Sequence, residues 1–276
     1  MSLFAAAKAD ADAYNKKLGE IMDEATKAHA NATIRFSTIA EISTSEGGAG
    51  DQMMPADLDE PEKLKWLIEK GKSVDPEFRE VLTQITDTFN SATQSVAAEI
   101  KAFGLDEETV CAGTGISVQT YQKMRRLPLR TELRNPKLQV EPGKPEILAS
   151  LKFGPLKTIE RAGQKVAQYG ARQLYDLNRA TVQFHNPLAL LLFYAALLTH
   201  FTVAQVRNFH DPAVNKDGRP PCVHLILCLK GSSYKVEVQL MLKTFLEIKR
   251  AQHKAYDLLR AKSYTQLLED SGLLLG

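Results

Sequence analysis

The sequence has few cysteines and no long apolar run, and each absence excludes a class of protein. Three cysteines occur in 276 residues, at Cys111, Cys222 and Cys228, with no CxxC pair and no His/Cys cluster at zinc-ligand spacing. The odd number argues against a disulfide framework and predicts a reducing compartment, the cytoplasm. The best candidate for a membrane span, residues 188–198, is too short to cross a bilayer and predicts a buried helix instead.

The chain also lacks a strong excess of charge of either sign. Lysine and arginine number 35 against 33 aspartates and glutamates, which leaves a formal net charge of +2. Bulk charge therefore gives no support for general nucleic-acid binding, and any positive field must be local. With 44% hydrophobic and 25% charged residues, the composition is that of an ordinary globular protein. Met1–Lys8 lacks the basic start and long apolar run of a secretory signal.

Common nucleotide-binding and hydrolase motifs are missing as well. Gly47, Gly48 and Gly50 form a glycine-rich stretch, but no Lys-Ser/Thr follows it and no predicted strand precedes it. The phosphate-binding loop and the dinucleotide fingerprint both need that context. The chain also has no GxSxG nucleophile elbow. These absences argue against P-loop, Rossmann and α/β-hydrolase sites.

The first half of the chain is predicted to be helical. Apolar residues recur at helical spacing over residues 3–34, 59–70 and 76–103, and Pro76 is predicted to start the last of these helices. Glycines and Pro55 make residues 43–57 a loop.

Four prolines between residues 127 and 145 predict an extended connector, because proline cannot continue a helix. They are Pro128, Pro136, Pro142 and Pro145. We therefore predict a helical N-terminal region at 1–126, an extended linker at 127–150 and a second domain at 151–276.

The C-terminal part alternates helical and strand patterns. Turn residues and period-two alternation predict strands at 177–184 and 201–209 and a hairpin around Gly231-Ser232. The hairpin strands are 223–229 and 234–242, and the helices are 155–169, 187–200 and 244–261. This order predicts an α+β fold, in which a helical N-terminal region precedes a small mixed β-sheet flanked by helices.

Two acidic residues of this part lie at or in predicted strands. Asp176 directly precedes one strand, and Glu237 alternates with Val236 and Val238 in another. Carboxylates held on a sheet can bind Mg²⁺, and Glu237 could also act as a base for a hydroxyl nucleophile. A turn-capping aspartate and an exposed sheet face are the simpler interpretations of the two residues.

Two basic stripes accompany the carboxylates. Lys157, Arg161 and Lys165 recur every four residues in a predicted helix, so they share one face that could hold polyphosphate. The last predicted helix carries a second stripe, made of Lys249, His253, Tyr256 and Arg260. Each stripe is also what a solvated face of an amphipathic helix looks like.

The remaining histidines give a weaker signal. His185, His200 and His210 lie at the ends of predicted elements, and His224 shares a strand face with Ile226 and Cys228. None has a second ligand at fixed spacing, so we interpret all four as structural.

Taken in order, these pieces resemble the RelA/SpoT-like synthetase domain of the nucleotidyltransferase superfamily. The resemblance covers residues 152–260 and rests on four short motifs. These are a basic helix from Leu156 to Lys165, an Asp-Leu-x-Arg strand from Asp176, a Glu-Val-Gln strand from Glu237, and a Lys/His/Tyr/Arg helix from Lys249 to Arg260.

The resemblance implies a nucleotidyltransferase-like fold and transfer of pyrophosphate from ATP to the 3′ hydroxyl of a guanine nucleotide. Asp176 would hold Mg²⁺, and Glu237 would assist the metal or the acceptor hydroxyl. The lysine and arginine stripe of Lys157, Arg161 and Lys165 would touch ATP phosphates. The rest of the implied nucleotide-binding set is Arg179, Gln239, Lys249, His253 and Arg260.

The sequence departs from the family pattern on the acceptor side. Arg219-Pro220-Pro221-Cys222 stands where the family has Gly-Tyr-x-(Ser/Asp), so Pro220 replaces the tyrosine that stacks on the acceptor base. A transferase with an altered acceptor is therefore one hypothesis. Another is a catalytically inactive module of this fold, used for nucleotide sensing or for assembly with a protein partner through the N-terminal helices. A third is an unrelated helical adaptor.

Overall fold

The computed structural model describes residues 3–30, 39–46, 48–91, 100–124, 148–185, 187–216 and 219–260, which fall into two compact units. The helix-pair unit contains the first and last described helices. The sheet unit contains the described residues between 39 and 216 and those from 221 to 242. Most of the predicted linker lies outside the described residues, so the domain boundary at 127–150 stays a prediction.

The helix-pair unit consists mainly of α1 (Leu3–Ala30) and α7 (Lys243–Arg260), which pack against each other. Helix α1 buries Ala11, Leu18 and Met22, which share one face at helical spacing. Both helices lie where the apolar periodicity predicts them. No helix in the described part of the chain is long and apolar enough to cross a membrane.

A five-stranded mixed sheet forms the centre of the sheet unit and confirms the predicted α+β fold. The strands are β1 (Ala149–Phe153), β2 (Arg179–Phe184), β3 (Phe201–Asn208), β4 (Val223–Leu229) and β5 (Lys235–Leu242). Their order across the sheet is β1-β2-β5-β4-β3. Strands β2 and β5 are parallel, and the other neighbours are antiparallel. The predicted hairpin of β4 and β5 is confirmed, with Gly231 at a φ of 83° in its turn.

The apolar helix α6 (Pro187–Leu197) contacts β2 and β5 and buries every one of its residues. Its Phe193 meets Phe184 of β2 edge-to-face at a centroid distance of 5.3 Å. The same ring meets Phe89 at 5.4 Å. Such clusters bury large apolar areas, so this face of the sheet supplies much of the stability of the unit.

Helix α2 runs without a break from Glu60 to Ser91, so the prediction of two helices separated at Pro76 is wrong. Proline removes one backbone hydrogen bond from a helix interior. The apolar stripe nevertheless keeps its phase through Pro76, because buried residues recur every three or four positions on both sides. They are Leu67, Gly71, Val74, Phe78, Leu82, Ile85 and Phe89. Burial of this stripe outweighs the lost hydrogen bond.

Three shorter helices complete the sheet unit among the described residues: α3 (Glu107–Thr114), α4 (Val118–Met124) and α5 (Ile159–Tyr169). Asp106 caps α3, since its Oδ1 accepts a hydrogen bond of 2.6 Å from the backbone N–H of Thr109. Helix α5 contacts α2 and a short 3₁₀ turn at Ala171–Gln173. That turn leads into the segment before β2, where the candidate site begins.

Candidate functional site

The face of the sheet opposite the α6 cluster carries polar side chains. In β5, Val236, Val238 and Leu240 are buried, while Glu237 and Gln239 alternate with them and are only half-buried. Strand register places Arg179 beside Glu237, and His224 beside Gln239. We call this side of the sheet the polar face. The sequence pattern of β5 predicts it correctly.

Asp176 lies in the segment that leads into β2, between the buried residues Leu174 and Leu177. Its Oδ2 accepts hydrogen bonds from the Nζ atoms of both Lys157 and Lys165, the latter at 2.6 Å. Burial alone would raise the pKa of Asp176, but these two ammonium groups outweigh it and hold the pKa below its ordinary value. Asp176 is therefore ionised at neutral pH.

The two lysines have different environments. The Lys157 side chain is only 7% exposed, and burial lowers its pKa despite the neighbouring carboxylate. The Lys165 side chain is 48% exposed. Burial opposes the charge of Lys165, but Asp176 outweighs it and raises the pKa. Lys157 is therefore fixed against Asp176, whereas Lys165 has room to move toward a ligand.

The predicted helical stripe of Lys157, Arg161 and Lys165 is not formed. Thr158 caps α5 through its side chain, so the helix begins at Ile159 and Lys157 precedes it. An unbroken helix would hold residues 157 and 165 about two turns apart, too far to share one oxygen atom. Arg161 is exposed on α5 and is not among the residues that line the cavity described below.

Glu237 is held by two neighbours on the polar face. His224 Nε2 lies 3.1 Å from Oε2, and Gln239 Nε2 donates a hydrogen bond of 2.6 Å to Oε1. Burial raises the pKa of Glu237, but His224 and Gln239 outweigh that effect and lower it. A carboxylate with a lowered pKa is a weak base. The lowered pKa therefore argues against Glu237 as a general base.

Asp176 and Glu237 converge on one cavity of about 210 Å³. Lys165, His224 and Arg207 are also on its walls, together with the rings of Tyr169 and Tyr175. The two acidic segments meet through the backbone, since Glu237 N donates to Asn178 O at 3.0 Å. The two carboxylates interact electrostatically, because the charge of Asp176 acts to raise the pKa of Glu237. Two sequence-distant acids and a partly exposed lysine thus face the same space.

A buried network connects the start of β2 to α2 behind this cavity. Asn178 Nδ2 donates to Gly71 O at 3.1 Å and to Asp75 Oδ1 at 2.9 Å. Asn178 Oδ1 accepts from the Tyr234 hydroxyl at 3.0 Å. A Cβ atom at Gly71 would lie only 2.8 Å from that hydroxyl oxygen, so glycine permits the close approach. The network fixes the chain between Asp176 and β2.

The other predicted nucleotide-binding residues have separate positions. Arg179 opens β2 and packs its side chain on Gly154, where a Cβ atom would lie 2.6 Å from Arg179 Cγ. Gln239 orients Glu237. Lys249 belongs to α7 in the helix-pair unit. His253 and Arg260 lie outside the residues whose side chains the structure describes, so their roles stay predictions.

The structure adds His224 to the site, which the sequence interpretation treated as structural. Besides its contact with Glu237, its Nδ1 is buried and has no hydrogen-bond partner among the described residues. The hairpin register could have revealed it. Once β4 and β5 pair around Gly231-Ser232, the alternation that exposes Glu237 also brings His224 to the polar face.

The residues present fit a magnesium ion that arrives with phosphate. Among the described residues, no group of three or more His, Cys, Asp or Glu side chains could hold a metal by itself. Mg²⁺ is usually held by one or two carboxylates together with substrate phosphates, however, and Asp176 and Glu237 are such a pair. Both lysine bonds to Asp176 use Oδ2, so neither occupies Oδ1.

No protein-family model matches the chain, and no curated protein matches its sequence. Among solved structures, the chain is similar to small alarmone synthetase 1 from Bacillus subtilis, bound to its product pppGpp. The identity is 14% and the TM-score 0.29, and the match covers 47% of this chain and 81% of that chain. A likeness of this size does not assign the chain to a family.

Proposed function

We propose that the polar face binds a magnesium–nucleotide complex and transfers pyrophosphate from ATP to a nucleotide acceptor. The observation that carries the proposal is the convergence of two ionised carboxylates, from distant parts of the sequence, on a cavity that also contains Lys165. The order of the Asp-Leu-x-Arg and Glu-Val-Gln motifs in the sequence agrees with it.

The exposure of each side chain indicates a different role for it in the proposed reaction. Asp176 and Glu237 would hold Mg²⁺, which would neutralise phosphate charge in the transfer. Lys165 is exposed enough to leave Asp176 and bind a phosphate oxygen. Lys157 would remain buried against Asp176 and keep that carboxylate ionised and in place. His224 and Gln239 would hold Glu237 through one oxygen each.

The proposed transfer is a single displacement at phosphorus and needs no covalent enzyme intermediate. The acceptor hydroxyl oxygen bonds to the β-phosphorus of ATP, and the bond between that phosphorus and the α–β bridging oxygen breaks. AMP leaves, and the hydroxyl proton passes to solvent, because the lowered pKa of Glu237 makes it a poor proton acceptor. The contribution of the protein is then positioning and charge stabilisation.

A binding module without catalysis is the second candidate. The specific observation that favours it is that both carboxylates are already neutralised or held by protein groups: Asp176 by two lysines, and Glu237 by His224 and Gln239. Pro220, at the position of the family's stacking tyrosine, agrees with it. Such a module could sense nucleotides, or assemble with a protein through its N-terminal helices.

Labelled ATP separates the two candidates. The protein is incubated with Mg²⁺, ATP labelled in its β-phosphate and a panel of guanine, adenine and RNA acceptors, and products are resolved by chromatography. The transferase proposal predicts a labelled acceptor and AMP, and loss of both in Glu237→Gln and Asp176→Asn. Arg161→Ala is the matched charge control and should keep transfer. Nucleotide binding without any labelled acceptor would favour the binding module.

A further inference from the structure

A short segment far from the site in sequence holds together the two chain segments that carry its carboxylates. This segment, Gly50–Gln52, is called the strap below. The Gln52 side chain is 1% exposed. Its Nε2 donates to Leu174 O at 3.3 Å and to Lys235 O at 3.0 Å, while its Oε1 accepts from Lys235 N at 2.9 Å. One amide therefore satisfies backbone groups of two separate segments.

The backbone of the strap strengthens the same connection on both sides. Gln52 N donates to Arg172 O at 2.8 Å, and the Tyr175 hydroxyl donates to Gly50 O at 2.6 Å. On the other side, the Lys235 ammonium group donates to Asp51 O. These bonds join the strap to residues 172–175 and to the first residue of β5.

The contacts of the strap lie next to the two acids. Leu174 is two residues before Asp176, and Lys235 is two residues before Glu237. The parallel pairing of β2 with β5 begins only at Arg179 and Glu237. N-terminal to these two residues, no strand pairing joins the described segments that carry Asp176 and Glu237. The Gln52 side chain connects them instead.

We propose that Gln52 is a positioning residue, which sets the placement of Asp176 relative to Glu237 and to Lys157 and Lys165. The proposal deepens the proposed function and rests on it where nucleotide binding is concerned. Its structural part, the placement of Asp176, stands without any nucleotide.

The experiment compares two nearly isosteric amide replacements. Gln52→Met removes the three side-chain bonds of the strap and keeps its volume. Asn90→Leu is the matched control: Asn90 also makes three backbone bonds, to Leu148 N, Ala149 N and Ala149 O. Those bonds lie at the opposite end of β2, since Ala149 pairs with Phe184. Both variants should lose stability in urea, so stability alone does not distinguish a positioning role.

The discriminating readouts are the NMR chemical shift of the Asp176 carboxyl carbon at neutral pH, assigned against Asp176→Asn, and the affinity for Mg-ATP. Gln52→Met should change that chemical shift, because the carboxylate moves relative to the two lysine ammonium groups. It should also weaken Mg-ATP by about tenfold or more, as loss of a residue that orients a metal ligand does. Asn90→Leu should leave both unchanged. An unchanged chemical shift in Gln52→Met, or equal changes in both variants, would overturn the proposal.

Two further outcomes are also informative. If wild-type protein does not bind Mg-ATP, the proposed function fails, while the chemical-shift comparison still decides the role of Gln52. If Gln52→Met does not fold, Tyr175→Phe removes one bond of the strap and keeps the ring. It should change the chemical shift of the Asp176 carboxyl carbon by a smaller amount, and no change would contradict the proposal.

Discussion

The two faces of the five-stranded sheet are built from the same strands but have different chemistry. On the α6 side, β2 and β5 contribute buried apolar residues: Ala180, Val182, Phe184, Val236, Val238 and Leu240. On the polar face, the residues between them carry charge or hydrogen-bonding groups: Arg179, Thr181, Gln183, Glu237 and Gln239. Because side chains alternate along a strand, one residue step separates a side chain packed in the core from one on the polar face.

The two acids reach the polar side of the sheet in different ways. Glu237 lies in β5, which the apolar face holds in register, whereas Asp176 lies in the segment before β2 and is held by hydrogen bonds from other segments. Substitutions on the α6 side should therefore lower stability, and substitutions on the polar side should lower binding, with stability lost there as well only where a buried charge is left unpaired. The following predictions test that separation, starting with the largest effect.

The largest effect is expected on the apolar side, for Phe184→Ala. This ring is fully buried against Phe193, so its loss leaves a cavity and should lower the free energy of unfolding by about 3–5 kcal/mol. Gln183→Ala, one residue earlier and on the polar face, is the control and should change it by less than about 1 kcal/mol. Urea unfolding measures both. Equal losses would remove the distinction between the faces.

The next effect is expected for Asp176→Asn, because the Asp176 carboxylate is bonded to the buried Lys157 ammonium group. The variant leaves the buried Lys157 ammonium group without its carboxylate and should lower the free energy of unfolding by about 3 kcal/mol. Glu237→Gln keeps the shape of its side chain and loses no buried cation, so about 1 kcal/mol is expected. If Glu237→Gln proved the more destabilising of the two, the assignment of Asp176 as the partner of Lys157 would be wrong.

Lowering the pH should weaken the bonds between Asp176 and its two lysines. The pKa of Asp176 is lower in the folded protein than the ordinary value of about 4 that it has in the unfolded chain. Its contribution to stability is thus fully present above about pH 4 and is lost as pH falls through the lowered folded value. Asp176→Asn should lose stability less steeply over this acid range. Parallel stability–pH curves for the two proteins would contradict the pKa assignment.

The smallest effect is expected for Arg161→Ala. Arg161 is exposed on α5 and does not line the cavity, so its removal should change the free energy of unfolding by no more than about 0.5 kcal/mol. Mg-ATP affinity should stay the same, whereas Lys165→Ala should weaken it. A loss of affinity in Arg161→Ala would mean that α5 turns this side chain toward the ligand.

Much of the sheet could be predicted from the sequence, because alternation and turn chemistry are local. The β4–β5 hairpin around Gly231-Ser232 and the polar alternation of Glu237 and Gln239 follow directly from residue order. The continuity of α2 through Pro76 could not be predicted in the same way, since proline is a strong local signal and the burial that overrides it is tertiary.

The site could be predicted only in part, for a related reason. Asp176 and Glu237 stand out as acids beside strands, but their partners come from other elements. Lys157 reaches Asp176 only because Thr158 begins the helix after it, and His224 reaches Glu237 only through the strand register. Gln52 gives no local signal at all, because its role depends on backbone groups of residues 174 and 235.

The most direct test of the central claim is the thermal midpoint with and without Mg-ATP, in wild-type protein and in Glu237→Gln. A ligand at 100 times its dissociation constant stabilises the protein that binds it by about 2.7 kcal/mol. The account predicts a clear rise of the wild-type midpoint and little or no rise in Glu237→Gln, whose midpoint without ligand stays near that of the wild type. Equal rises in both proteins, or no rise in the wild type, would contradict a magnesium–nucleotide site built on Asp176 and Glu237.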